Sequence, residues 1–256
     1  MIWNHRSAQS SGGAPDPSGL ISIAIDFPDH GRPRRSDISD HLAPYLGRAE
    51  RALPAAPGGP VPVDVNIVWP SAERPWITAY TVGASSRPMT IPPEARSRCS
   101  PYAELFLRLP PDWVPERVCP FCTPRRAERD PLADARTAWP FEWLARLARH
   151  PHEEGTFLAR GHIIEDADES PRDDGLPFSG FHLDAAWDEA GDREIPPLLR
   201  KDGERIEFFG VVPLLPAELQ AFRERRGTDV LRGLDAMGVT ELLVPDRPSC
   251  VPGRAV

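Results

Sequence analysis

Cys119-Pro-Phe-Cys122 is the stretch of this chain whose residue types point most directly to chemistry. Two thiolates three positions apart can hold two corners of a zinc tetrahedron or form a redox dithiol. Zinc normally needs two more ligands. No second C-x-x-C and no H-x₃₋₅-H pair is present, which leaves Cys99, Cys250 and the histidines as isolated candidates to complete a site. A redox pair belongs at the start of a helix that follows a strand, but this one sits in a proline-rich stretch with Pro124 behind it. A zinc corner, a thiol-redox pair and an incidental pair all stay open for Cys119 and Cys122.

Other constellations fall short of a reaction. In "YTVGASSRPM", residues 80–89, a strand-like run meets Gly83, Ala84 and Ser85. A nucleophile elbow needs G-x-S-x-G, but Arg87 stands where the second glycine belongs. Pro88 then denies a backbone donor to a helix starting there. "HPHEEG", His150 to Gly155, lacks the second histidine of a zincin. His162 and His182 lie singly in strand-like runs. Glu153 with Glu154, and Asp173 with Asp174, are adjacent in sequence, so their side chains diverge and make poor acid–base couples. Neither G-x-G-x-x-G nor G-K-[ST] occurs. We expect no catalytic residue, and a chain that is not an enzyme.

The elements around these residues can be read from periodicity. "SDISDHLAPYLGRAERAL" from Ser36 reads as a helix capped by Ser36, with Ile38, Leu42 and Leu46 at four-residue spacing and a disturbance at Pro44. "VDVNIVWP", "WITAYTV" and "AELFLRLP" read as strands; Leu105, Leu107 and Leu109 share a face of the third. A polar, proline-rich insertion runs from about 111 to 136 and carries the C-x-x-C pair. "TAWPFEWLARLARHP" reads as a helix with Pro140 in its first turn, Phe141, Leu144, Leu147 and Ala148 on one face, and Pro151 at its end. "GTFLARGHII", "FSGFHLDAAW" and "ERIEFFGVVPLL" read as strands, with the acidic 165–175 as a solvated loop. Pro216 opens a helix that Gly227 closes; Thr228 caps another that Gly238 closes; "ELLVP" is a last short strand. Strands cluster and helices are few and segregated. That pattern predicts an α+β fold, a mixed or antiparallel central sheet with helices packed on it.

With 256 residues the chain can build a core without disulfides. Residues 1–18 read as a disordered tail of low hydrophobicity, 19–246 as one domain and 247–256 as a second tail. A net charge of −8 argues against non-specific nucleic-acid binding, which needs a basic face to release counterions. The one basic cluster, from His30 to Arg35, reads as a solvated loop. The 32 prolines compare with about 13 expected at average usage, and they favour turns over long helices. Neither a signal-peptide core nor a membrane-length apolar run is present, so a cytoplasmic protein is expected.

Four blocks in fixed order resemble the Suppressor of fused domain: "TAYTVGASSRPM" with "YAELFLRLPPDW", then "WPFEWLARLARHPHEEGTFLARGHII", then "IEFFGVVPLLPAELQAFRERRGTDVLRGL". The likeness runs from roughly 36 to 246. It implies the N-terminal lobe of such proteins and a binding role. Animal members hold Gli-type transcription factors as an added strand in a cleft between two lobes, of which this chain matches the first. Single-lobe bacterial-type relatives are implied to neutralise a protein partner in toxin–immunity systems. Gly83, Trp139 and Pro140 match structural hallmarks of the family, with Gly83-Ala-Ser85 as its structural turn. The partner-binding region maps to the loop from Ser85, Ser86 and Arg87 onward and to Glu142, at the start of the Trp139 helix. The family turn carries a bulkier residue where Ala84 sits, and the C-x-x-C insertion is not a family feature. Zinc is therefore not implied, and the Cys119/Cys122 module stands as the alternative.

Overall fold

The chain alternates short extended runs with a few helices, and hydrogen bonding gathers most of those runs into one mixed sheet. The computed structural model describes residues 35–118, 127–165, 178–188 and 190–251. The strands are β1 (Arg51–Leu53), β2 (Asp64–Val68), β3 (Ile77–Val82), β4 (Tyr102–Leu109), β5 (Glu116–Val118), β6 (Ala127–Arg129), β7 (Ile163–Glu165), β8 (Gly180–Ala185), β9 (Leu198–Leu199) and β10 (Arg205–Leu214). The sheet runs β1-β2-β3-β4-β10-β8-β7, with β9 beside the start of β10; β5 and β6 form a separate hairpin. Among the described strands only β4 and β10 pair in parallel, from Tyr102↔Ile206 to Phe106↔Gly210. Parallel neighbours need a long crossover, and here it contains the main helix.

Helices cover both faces, which is why β3 is buried throughout and β4 nearly so. α2 (Ala135–Glu153) lays Phe141, Leu144, Leu147 and Ala148 on the face that carries Leu105, Leu107, Leu109 and Ile67. α1 (Arg35–Leu46) lays Ile38, Leu42 and Leu46 against Tyr80, Val82, Phe106 and Phe208 on the other. α3 (Pro216–Arg223) and α4 (Gly227–Ala236) close a third cluster around Leu214, Leu219, Val230 and Leu234. A strand covered on both sides carries its odd and its even side chains into protein. The charged residues of "AELFLRLP" are therefore buried as well, Glu104 at 1% exposure and Arg108 at 6%.

Several local readings shift. α1 begins at Arg35, so Ser36 lies inside it; it stops at Leu46, and Gly47 (φ +92) turns the chain into β1. The α2 cap is Asp134, whose side chain accepts from Arg136 N, so Pro140 lies beyond the first turn and Pro151 lies inside the last. In "GTFLARGHII" only Ile163–Glu165 is strand, after a turn at Gly161 (φ +90). Arg225 (φ +62) makes the break between α3 and α4, Gly227 opens α4, and Thr228 follows inside it. Gly238 (φ +63) does close α4, with Val239 N donating to Leu234 O. "ELLVP" makes a single bridge beside β4 instead of a strand: Arg108 N donates to Glu241 O and Leu243 N to Arg108 O. The Arg108 guanidinium pairs with Glu241 and donates to the carbonyls of Trp187 and Asp188.

The stretch read as a tail from residue 247 is packed as far as Val251. Arg247 reaches the fully buried Glu218 at 2.6 Å, and Cys250 N donates to the same carboxylate at 3.0 Å. Burial works to raise the Glu218 pKa, but the bonds from Arg247, Leu215 N and Cys250 N outweigh it and leave it lowered. Burial, with the Glu218 charge behind it, pushes the Cys250 thiol up to about 11. Residues 1–18, the acidic stretch from 166 to 175, Cys119 and Cys122 lie outside the described residues.

The α2 packing sets one test. Phe141 is 1% exposed, so Phe141→Ala should destabilise the protein by about 3–5 kcal/mol in urea unfolding. A near-zero loss would mean that this helix face does not hold the sheet. A second test concerns pH. His182 on β8 is buried against the Phe222 ring of α3, and its Nδ1 has no hydrogen-bond partner among the described residues. Burial holds its pKa below the ordinary histidine value, although Asp184 and the His162 carbonyl pull the other way. The unfolded chain then binds the proton first. Stability is complete above the unfolded value near 6.5 and falls as the pH drops from there toward the folded value. Thermal melts from pH 7.5 to 5.5 should show that decline, and His182→Gln should reduce it, the remainder coming from His152, whose pKa burial also lowers.

Candidate functional site

Gly83, at the end of β3, has φ +116, and a Cβ there would stand 2.1 Å from the Pro62 carbonyl oxygen. Only glycine satisfies both the backbone angle and the contact. The chain then makes a single 3-10 turn over Ala84–Ser86. That turn wraps the carboxylate of Glu104 on β4. Gly83 N donates to Oε1 at 2.9 Å, Ser85 N at 3.0 Å and Ser85 Oγ at 2.6 Å. Thr81 Oγ1 donates to Oε2 at 2.7 Å and itself accepts from Leu105 N at 2.9 Å. A buried carboxylate without a paired cation is tolerable when several dipoles are aimed at it, and this one receives four donors.

The outside of the turn is held as well. His152, in the last turn of α2, hydrogen-bonds the Ala84 carbonyl; burial holds its pKa below the ordinary value, with Arg87 adding to that effect. Arg200 reaches the Ser85 carbonyl at 3.4 Å and lies over the Tyr102 ring at 3.8 Å. Ser85 is 1% exposed and its hydroxyl donates inward to the Glu104 carboxylate, so it presents no face toward a substrate. Ser86 is half-buried; Arg87 is exposed and donates to Pro60 O at 3.2 Å.

Glu142 sits elsewhere. It is exposed on α2 and lines a groove of about 360 Å³ that none of residues 85–87 lines. The groove has a largely apolar floor: Leu53 of β1, Val65 of β2, and Phe141 and Ala145 of α2. Leu132 and Arg149 share its rim with Glu142. Trp139 and Pro140 are buried behind it, Trp139 meeting Trp113 edge-on at 5.9 Å. The mapped positions thus fall on two surfaces, a turn and a groove. Sequence reasoning missed Glu104; His152 lies in the HPHEEG stretch at the end of the helix, and its partner in the turn is what the sequence did not show. The available signal for Glu104 was an acid inside a strand of leucines.

The turn makes its own prediction. Glu104→Gln puts an amide donor where only acceptors fit and should cost about 2–4 kcal/mol in urea unfolding. Gly83→Ala should leave little folded protein. If Glu104→Gln changed stability by less than about 0.5 kcal/mol, the carboxylate would not be what holds the turn.

A family model described as Suppressor of fused protein (SUFU) matches residues 59–248. No curated protein matches the chain. Three solved structures share its fold. A structure described as the Sufu–Fu complex is 17% identical with a TM-score of 0.51, covering 80% of this chain and 84% of that one. A Suppressor of fused homologue from Neisseria gonorrhoeae is 15% identical with a TM-score of 0.51, covering 84% of this chain and 94% of that one. Drosophila Suppressor of Fused is 16% identical with a TM-score of 0.50, covering 80% of this chain and 47% of that one. The family match spans most of the chain, which therefore belongs to the Suppressor of fused family.

Proposed function

We propose that this chain is a non-enzymatic protein-binding domain that neutralises or regulates a protein partner, as an immunity protein does a toxin domain. The observation that carries the reading is the open groove beneath Glu142, a concave and largely apolar surface at the end of the sheet. Such a surface, rimmed by charge, is the usual anatomy of a protein contact. The family supports the same reading, since one solved relative is described as a Sufu–Fu complex. The Ser85 hydroxyl and the Glu104 carboxylate are turned inward on each other, so the turn serves as scaffold. Arg87, with the half-buried Ser86, offers a second contact on a surface separate from Glu142. A net charge of −8 suits a basic partner, because complementary charge speeds encounter.

The protein then works in the cytoplasm by occupying its partner's surface. No described helix is long and apolar enough to cross a membrane. Affinity capture of the tagged full-length protein from its native cytoplasm tests the reading, with bound proteins identified by mass spectrometry. A single stoichiometric partner carrying a toxic domain is expected. Glu142→Arg combined with Arg87→Glu should lower its recovery about tenfold or more with an unchanged melting curve. Reproducible absence of any partner would overturn the binding role, and undiminished capture by the double variant would overturn the mapping.

A further inference from the structure

The groove also carries information about what occupies it, an inference that rests on the protein-binding reading. β1 is the terminal strand of the sheet, and no described strand pairs with its outer edge. It is three residues long and is followed at once by Pro54, so backbone pairing there is too short to hold a ligand alone. Recognition must come from side chains entering the groove. Its volume, about 360 Å³, lies at the small end of ordinary ligand pockets and suits one or two large apolar side chains.

Charge on the rim narrows the choice. Arg149 is engaged by Glu153 at 3.6 Å, and the neighbouring Arg51 by Asp130 at 3.0 Å. Glu142 is exposed and has no ion-pair partner among the described residues. Arg149 and Arg51 are each engaged by an acid while Glu142 is not, so an entering chain meets a negative charge beside an apolar floor. Leu132, 48% exposed and also lining the groove, adds apolar surface open to solvent. We propose that the groove binds a short extended segment of a partner protein, with a large apolar anchor between Leu53, Phe141 and Ala145 and an adjacent lysine or arginine at Glu142. Arg149 plays no attractive part, since Glu153 already holds it.

A fluorescein-labelled hexapeptide, Ser-Lys-Leu-Phe-Lys-Ser, titrated with the full-length protein and read by anisotropy, tests this directly. Replacing Leu-Phe by Ser-Ser should weaken binding about tenfold or more, because the anchor supplies most of the affinity. Replacing both lysines by glutamate should weaken it about two- to fivefold at low salt, as expected for an exposed ion pair. Ala145→Arg fills the groove and should abolish binding; Leu132→Ser, at an exposed position that cannot unfold the protein, should weaken it. Glu142→Lys should reverse the charge preference. Equal binding of the three peptides, or no binding by any, overturns the proposal. A self-associating species in sedimentation that Ala145→Arg dissolves would overturn it too, by giving the groove to a second copy of this chain. Partner capture that survives Ala145→Arg would overturn the groove and leave the binding role standing. Peptide binding without any captured partner would leave the groove and remove the role.

Discussion

The buried carboxylate of Glu104 organises the end of the sheet. It is 1% exposed and is met by two backbone N–H groups and two hydroxyls. Each of those donors belongs to β3 or to the turn that follows it. The turn can fold around the carboxylate because Gly83 adopts a left-handed angle in contact with the Pro62 carbonyl. β3, the turn and β4 are thus a single polar unit inside an apolar body. Removing one member leaves the others unsatisfied in a medium without water, which makes such networks all-or-none.

Two other buried acids repeat the logic at the far side, this time with cations. Glu241 binds Arg108 and fixes the segment that fills the space where β10 parts from β4. Glu218 binds Arg247 and fixes the C-terminal stretch on α3. In both cases a residue of the last part of the chain is tied to an element formed much earlier or packed much deeper. A buried ion pair adds little net stability against an apolar alternative, but breaking one is severe. These pairs specify where the last segment goes more than they strengthen the whole.

The division between scaffold and surface follows. Ser85, which in sequence stands out as a nucleophile-like serine after a strand and a glycine, is scaffold. Glu142, which the family likeness maps to partner binding, stands on the rim of the open groove. The same helix that buries Phe141 and Leu144 presents Glu142 to solvent, so rigidity behind the groove and charge at its lip come from one element.

The sequence by itself determined the class of fold, most of the strands and the main helix, because those are written in local periodicity: Val63, Val65 and Ile67 on one side of β2, and Phe141, Leu144, Leu147 and Ala148 along α2. The turn at Gly83 is an expectation of the family likeness, and its left-handed angle is seen only in the folded chain. Where the sequence erred, at the α2 cap, at the α3–α4 break and in "GTFLARGHII", hydrogen bonds and backbone angles at element ends decided, and those depend on neighbours that periodicity does not see. Only the tertiary structure decided that Glu104 and Arg108 are interior. Alternation predicts a solvated face for them, but α1 covers the middle of that face at Phe106, the Gly83 turn covers Glu104, and the distant Glu241 segment covers Arg108. Only the tertiary structure, too, made a groove out of β1, β2 and α2, since a concave surface exists only once elements far apart in sequence are packed side by side.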